Sequence, residues 1–241
     1  MIDKKSPIPI YFQIEEFIKK QIAEGVLYPG EALPSEREFA DEYGISRMTV
    51  RHGINNLVNQ KLLYRKKGKG TFVSWPKIEQ PLSGMTSFTE DMESRNMKPD
   101  SKLLVFTTIQ ASAFVARQLQ ISEGEAVYFI QRVRLADELP IALERTYIPV
   151  SLVPGLTKEV LNASLYAYFE ETCGFTIHEA EQTIEASLAS EEDATHLSVP
   201  INSPLLSIRR NTRLLDNRVL EVVFSHYRGD RYHFVTRMVR N

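Results

Sequence analysis

Residues 34–73 read PSEREFADEYGISRMTVRHGINNLVNQKLLYRKKGKGTFV, and three features within them decide the fold of the first part of the chain. Pro34-Ser35-Glu36-Arg37-Glu38 announces a helix start, because the Ser35 hydroxyl can accept from the amide three residues on while Glu38 reaches back as a capping box. Phe39, Ala40 and Tyr43 supply the apolar side of that helix. Gly44 suits the left-handed residue that ends it, Ile45 fills the corner, and Ser46 can cap a third helix running to about Gln60. Helix, glycine turn and helix together predict a helix-turn-helix. Next, Leu62 to Val73 gives two short β-prone arms around a basic Gly68-Lys69-Gly70 tip, a hairpin wing. Upstream, Ile10, Ile14, Phe17, Ile18 and Ile22 recur at steps of three and four, predicting a first helix over residues 9–24.

The same stretch carries an unusual charge pattern. Of 241 residues, 29 are Lys or Arg and 31 are Asp or Glu, a net charge of −2 that hides an asymmetry. Residues 1–74 hold 12 basic and 9 acidic side chains, against 17 and 22 in the remainder. From Arg47 to Lys69 there are seven basic residues and no acidic one, which points to a polyanionic partner, since a merely solvated face mixes signs. In the third helix Val50, Ile54, Leu57 and Val58 form the inward stripe, while Arg47 and Arg51 lie one turn apart on another face. Two solvated arginines are the plain alternative. In a capped helix-turn-helix their planar forks are placed to bond O6 and N7 of guanine in the major groove. Lys66, Lys67 and Lys69 can offset phosphate charge, and glycine at the tip lets backbone approach a sugar-phosphate strand. A nucleotide-binding glycine loop is disfavoured, because the third glycine, the Gly-Lys-Thr ending and the following helix are missing.

These motifs, in this order, resemble the winged helix-turn-helix of GntR-superfamily bacterial transcription regulators. The resemblance places Ser35, Arg37, Ser46, Arg47, Thr49, Arg51, Lys67, Gly68 and Lys69 at DNA. Gly53 departs from the family pattern, which usually has alanine there; within a helix it costs about 1 kcal/mol relative to Ala and is expected to loosen the recognition helix.

Ser74 to Pro81 contains two prolines and no clear period, so it reads as an extended connection, with domains at 1–74 and 83–241 and a linker at 75–82. Beyond it, helical stretches near 86–95, 112–119, 157–172 and 190–197 alternate with strand-like runs at 102–109, 125–135, 139–148, 179–188, 204–215, 218–228 and 232–239. The fold class expected is α+β with a mainly antiparallel sheet. Turns at Asp137-Glu138 and Asp216-Asn217 read as hairpin tips.

Thr86-Ser87-Phe88-Thr89 precedes Glu90-Asp91 at a helix start, either an ordinary cap or a place for a phosphate. Arg132 and Arg134 point to the same face of one strand, where they suit an anion or line a solvent-facing edge. Glu144 and Glu221, also in strands, can accept from sugar hydroxyls or an amino group, and Tyr166 and Tyr227 can wall a pocket. The order of segments across nearly the whole chain resembles the HutC subfamily, which implies a chorismate-lyase-like effector and dimerisation domain. By that resemblance Ser87, Phe88 and Thr89 hold a phosphate, Arg132 and Arg134 clamp it, and Glu144, Ser164, Tyr166, Glu221 and Tyr227 address a sugar. The function it implies is a homodimeric repressor of amino-sugar genes that binds a pseudo-palindromic double-stranded DNA operator. Glucosamine 6-phosphate or N-acetylglucosamine 6-phosphate is the implied releasing effector, with trehalose 6-phosphate, another phosphosugar or a non-sugar anion as alternatives.

Other classes fit less well. No nucleophile motif occurs, the five histidines are scattered, and His178-Glu179-Ala180-Glu181 is only a loose cluster, so a lyase-like enzyme, a metal site and a cofactor are not expected. The single cysteine, Cys173, reads as a small buried apolar residue. Neither a long apolar run nor a signal peptide is present, so a cytoplasmic protein without membrane contact is expected. A DNA-coating protein would explain the wing but not a second, acidic domain.

Overall fold

Pro9, with its fixed φ and no amide proton to lose, precedes helix α1 (Ile10–Ala23), whose Ile14 and Ile18 are buried. In this computed structural model, which describes residues 2–75, 77–82, 84–161 and 164–240, the chain divides into two compact units, Met1–Lys77 and Ile78–Asn241. Helix α2 (Glu36–Tyr43) opens on the expected capping box: Ser35 Oγ accepts from the Glu38 amide and the Glu38 carboxylate accepts from the Ser35 amide. Gly44, at φ 61°, closes it, and Ser46 caps α3 (Arg47–Asn59) through the Thr49 amide. Strands β1 (Leu63–Lys66) and β2 (Gly70–Val73) pair antiparallel as the wing. Ile14, Ile18, Phe39, Val50, Ile54, Leu57, Leu63 and Val73 form one apolar core under all of these elements.

Gly53 has a packing role that corrects the expectation of a loosened helix. It is buried where α1 crosses α3, and a Cβ there would lie 2.8 Å from the Tyr11 carbonyl oxygen and 3.3 Å from Ile14 Cβ. The missing methyl lets the two helices approach, and contact with α1 holds the recognition helix in place.

In the second unit, Ile78–Pro81 is not linker but strand β3, with Ile78 and Gln80 buried and Glu79 and Pro81 exposed. Helix α4 (Phe88–Glu93) follows, then β4 (Pro99–Gln110), α5 (Ala113–Leu119), β5 (Ala126–Ala136) and β6 (Leu139–Pro149). The helix expected over 157–172 is broken into α6 (Lys158–Leu161), α7 (Leu165–Ala167) and a π turn at Tyr168–Thr172, with residues 162–163 outside the described ones. Ser164 starts the second piece by accepting from the Ala167 amide at 3.4 Å. The chain ends with β7 (Ile177–Leu188), α8 (Glu191–Leu197), β8 (Pro204–Leu214), β9 (Val219–Arg228) and β10 (Tyr232–Val235). The expected last strand, 232–239, thus stops at Val235, where its pairing with β3 ends at Pro81.

Six strands form one antiparallel sheet in the order β4-β5-β6-β9-β8-β7, as the α+β reading expects, while β3 and β10 pair in parallel apart from it. Asp137 and Glu138 both take positive φ at the tip of the β5–β6 hairpin, and Asn217 does so between β8 and β9. The cross-strand register sets Arg132 beside Glu144, Glu144 beside Ser225 and Ser225 beside Ile208. It also lines up Arg134 with Ala142 and Ala142 with Tyr227, so polar residues of β5, β6 and β9 share one face of the sheet. Alternate residues Val133, Leu143 and Leu205 lie in a core cluster with Ala189 and Leu197, next to α8.

Candidate nucleic-acid interface and ligand cavity

The start of α3 and the wing present the basic surface of the first unit. Lys67, Gly68 and Lys69 stand exposed at the hairpin tip, and together with Ser35, Arg37, Arg47 and Arg65 they line a broad surface groove. Lys66 is held differently: its ammonium lies 4.9 Å from the Phe72 ring centroid and 5.5 Å from that of Tyr64, two rings that stack on each other. Ser46 and Thr49 bond each other's hydroxyls at 2.9 Å as part of the helix cap.

Arg47 and Arg51 are not the unattached pair that spacing alone suggests. Arg51 Nε donates to Glu36 Oε2 at 2.9 Å, and Arg47 Nε lies 3.8 Å from the same oxygen. Arg65 Nη2 donates to the other oxygen, Oε1, at 3.0 Å. The sequence reading missed Glu36, whose place in the capping motif already explained an acidic residue. Met48, His52 and Asn55, which the sequence reading did not single out, are exposed at steps of four and three along the outer face of α3, with the His52 ring stacked on Tyr11 at 4.3 Å. The inward stripe, displaced by half a turn, is the signal that could have found them.

In the second unit, nine of the ten expected ligand residues line a single cavity. Ser87 and Phe88 come from the start of α4, Arg132 and Arg134 from β5, Glu144 from β6, Ser164 and Tyr166 from α7, and Glu221 and Tyr227 from β9. Thr89 is not among the lining residues, and the Ser87 amide is already bonded to the Glu90 carboxylate at 2.8 Å. That capping box leaves less of the helix start for an anion than the sequence suggests.

Arginines dominate one part of the cavity. Arg132 pairs with Glu144 and reaches the Leu161 carbonyl at 3.4 Å, while Arg134 donates to Ser101 Oγ at 2.7 Å and lies 4.5 Å from the Phe88 ring centroid. Both are about 95% buried, and the Nε of each is buried with no partner. Arg210, missed by the sequence reading, lines the same cavity and is held by Gln182 Oε1 at 2.9 and 3.1 Å and by the Thr86 carbonyl at 3.3 Å. Three arginines in β8, at 209, 210 and 213, leave the sequence ambiguous about which one faces inward; pairing with β9 resolves it.

The two glutamates are pushed in opposite directions. Burial alone would raise the Glu144 carboxyl, but Arg132 and Arg134 overcome it and hold the pKa below its ordinary value. Burial raises the Glu221 carboxyl, and the charge of Glu144 raises it further, while Tyr166 and Thr212 hydroxyls bond its Oε1 at 3.0 and 3.2 Å. Arg134 is lowered to about 10 by burial and by its neighbour Arg132, and Tyr227 is raised to about 12 by burial and by Glu144. Such a cavity can neutralise an anion at the arginines and satisfy hydroxyl or amino groups at the carboxylates and tyrosines.

Two family models match separate segments of the chain. The family described as bacterial regulatory proteins, gntR family, matches residues 10–73, and the UTRA domain matches residues 94–233. The chain is 47% identical over 239 residues to the HTH-type transcriptional repressor NagR of Bacillus subtilis (strain 168), covering 99% of this chain and 98% of the relative. It is 36% identical over 226 residues, 94% of each, to the mannosyl-D-glycerate transport/metabolism system repressor MngR of Escherichia coli (strain K12). The crystal structure of PhnF from Mycobacterium smegmatis is similar with a TM-score of 0.68 at 29% identity, covering 95% of this chain and 100% of that one.

Proposed function

The chain belongs to the GntR family of bacterial transcription regulators, with a HutC-type UTRA domain behind its helix-turn-helix, and from that premise we propose that a phosphorylated amino sugar releases it from an amino-sugar operator. Glucosamine 6-phosphate or N-acetylglucosamine 6-phosphate is the effector, seated in the β5–β6–β9–β8 cavity. The observation that carries this reading is the pair Arg132 and Arg134, buried side by side with an unbonded Nε each. A buried N–H without an acceptor is costly even where the rest of its guanidinium is bonded, and a phosphate that accepts from it removes the penalty. Glu144, Glu221, Ser164, Tyr166 and Tyr227 face the sugar, and Arg210 adds positive charge to the anion end.

On this reading the repressor is a homodimer on a pseudo-palindromic operator, with Arg47 and Arg51 reading bases and Lys67 and Lys69 meeting phosphates. The effector acts by binding one dimer geometry more tightly than the other; equal affinity for both would shift nothing. Thermal unfolding with a panel of phosphosugars, free sugars and organic anions tests the effector. A ligand at a hundred times its dissociation constant adds about 2.7 kcal/mol of stability, so amino-sugar phosphates are expected to raise the midpoint and free amino sugars are not. A shift confined to trehalose 6-phosphate or to a non-sugar anion would replace the amino-sugar assignment.

A further inference from the structure

Three arginines of the DNA-facing surface converge on one carboxylate. Glu36 is the first residue of α2; Arg47 and Arg51 belong to α3 and Arg65 to β1 of the wing. The Glu36 side chain is 16% exposed against 62%, 42% and 45% for the three arginines, so the carboxylate lies beneath them. An acidic residue in a first helical turn is ordinarily explained by the helix dipole, and an isolated exposed ion pair contributes little. Neither accounts for the way the recognition-helix arginines approach, both through Nε. A guanidinium bonded through Nε, as Arg51 is at 2.9 Å, keeps its two terminal nitrogens pointing away from the anchor, and that pair can bond O6 and N7 of guanine end-on; Arg47 Nε, 3.8 Å from the same oxygen, is in ion-pair range of it. Among the described residues no protein group bonds the terminal nitrogens of Arg47 or Arg51.

We propose that Glu36 is a positioning residue for DNA recognition: it aims Arg47 and Arg51 at base edges and ties the wing to the recognition helix through Arg65. The assignment rests on Arg47 and Arg51 being base readers, as proposed above. A carboxylate facing a polyanion weakens binding to any sequence, so its effect is to raise discrimination at the expense of non-specific affinity.

The test uses full-length protein, a duplex that the wild type selects from a randomised library, and a shuffled duplex of the same composition. Glu36→Gln is expected to lower affinity for the selected duplex about tenfold or more while leaving the shuffled one unchanged or tighter. Retained binding to the shuffled duplex also certifies that the variant folds. Glu36→Asp, charged but shorter, is expected to fall between. In an Arg47→Ala, Arg51→Ala background, Glu36→Gln is expected to change affinity for the selected duplex less than about twofold. Equal losses on both duplexes, an unchanged ratio, or a full effect in the double-alanine background would overturn the assignment. Failure of the wild type to enrich any duplex would instead overturn the recognition reading beneath it, and this assignment with it.

Discussion

Gly53 is a residue at which propensity and packing give opposite signs. Propensity alone says that Gly53→Ala stabilises α3 by about 1 kcal/mol. The Cβ so added would sit 2.8 Å from a backbone oxygen of α1, and a carbonyl fixed in a helix cannot give way as a side-chain tip can. The expected outcome is therefore a lower midpoint in urea or thermal unfolding, and a raised midpoint would show that the helices separate freely. Arg134 offers a functional counterpart: Arg134→Ala is expected to abolish the response to phosphosugars while leaving operator affinity intact, because it lines the cavity of the second unit, whereas the residues proposed to meet DNA belong to the first. An unchanged response in an operator-release titration would remove Arg134 from the phosphate assignment. At this scale the sequence showed residue types well and their partners poorly. Arg132 and Arg134 declare themselves by alternation along one strand, whereas Glu36 and Arg210 gain their meaning from neighbours 11 to 29 positions away and on other strands, respectively.

Among the elements, the wing and the capped helices make separable predictions. Lys67 stands exposed at the hairpin tip, so Lys67→Ala should weaken binding to operator and random DNA alike and reduce the salt slope by about one unit. A loss confined to the operator would instead give Lys67 a part in reading sequence. Ser35→Ala removes the acceptor of the α2 capping box and should lower stability by about 1 kcal/mol, measured by chemical denaturation. Elements whose signals are local were legible: α1 to α3, the wing, and the β5–β6 and β8–β9 hairpins all carry their caps, turns and periods within a few residues. Strand β3 was not, because its partner β10 lies some 150 residues away and four residues between prolines show no period of their own. The break at α6 and α7 was hidden for the opposite reason, since a helical period can continue through a restarted helix.

For the whole molecule, the basic surplus of residues 1–74 corresponds to a basic surface groove on Met1–Lys77, while the net acidic remainder places three arginines along the cavity of Ile78–Asn241. Two-fold protein symmetry maps onto DNA symmetry, so the selected operator is expected to contain inverted half-sites about one helical turn, ~10 bp, or a multiple apart. Enrichment of a single, asymmetric half-site would contradict the dimeric account. An anion held by Arg132 and Arg134 is proposed to lower affinity for DNA. The most direct measurement is fluorescence anisotropy of the labelled, selected duplex bound to wild-type protein, titrated with glucosamine 6-phosphate, N-acetylglucosamine 6-phosphate and the corresponding unphosphorylated sugars. Release by at least one amino-sugar phosphate and none by the free sugars is expected; equal release by free and phosphorylated sugars, or release by neither phosphosugar, would overturn the anion assignment.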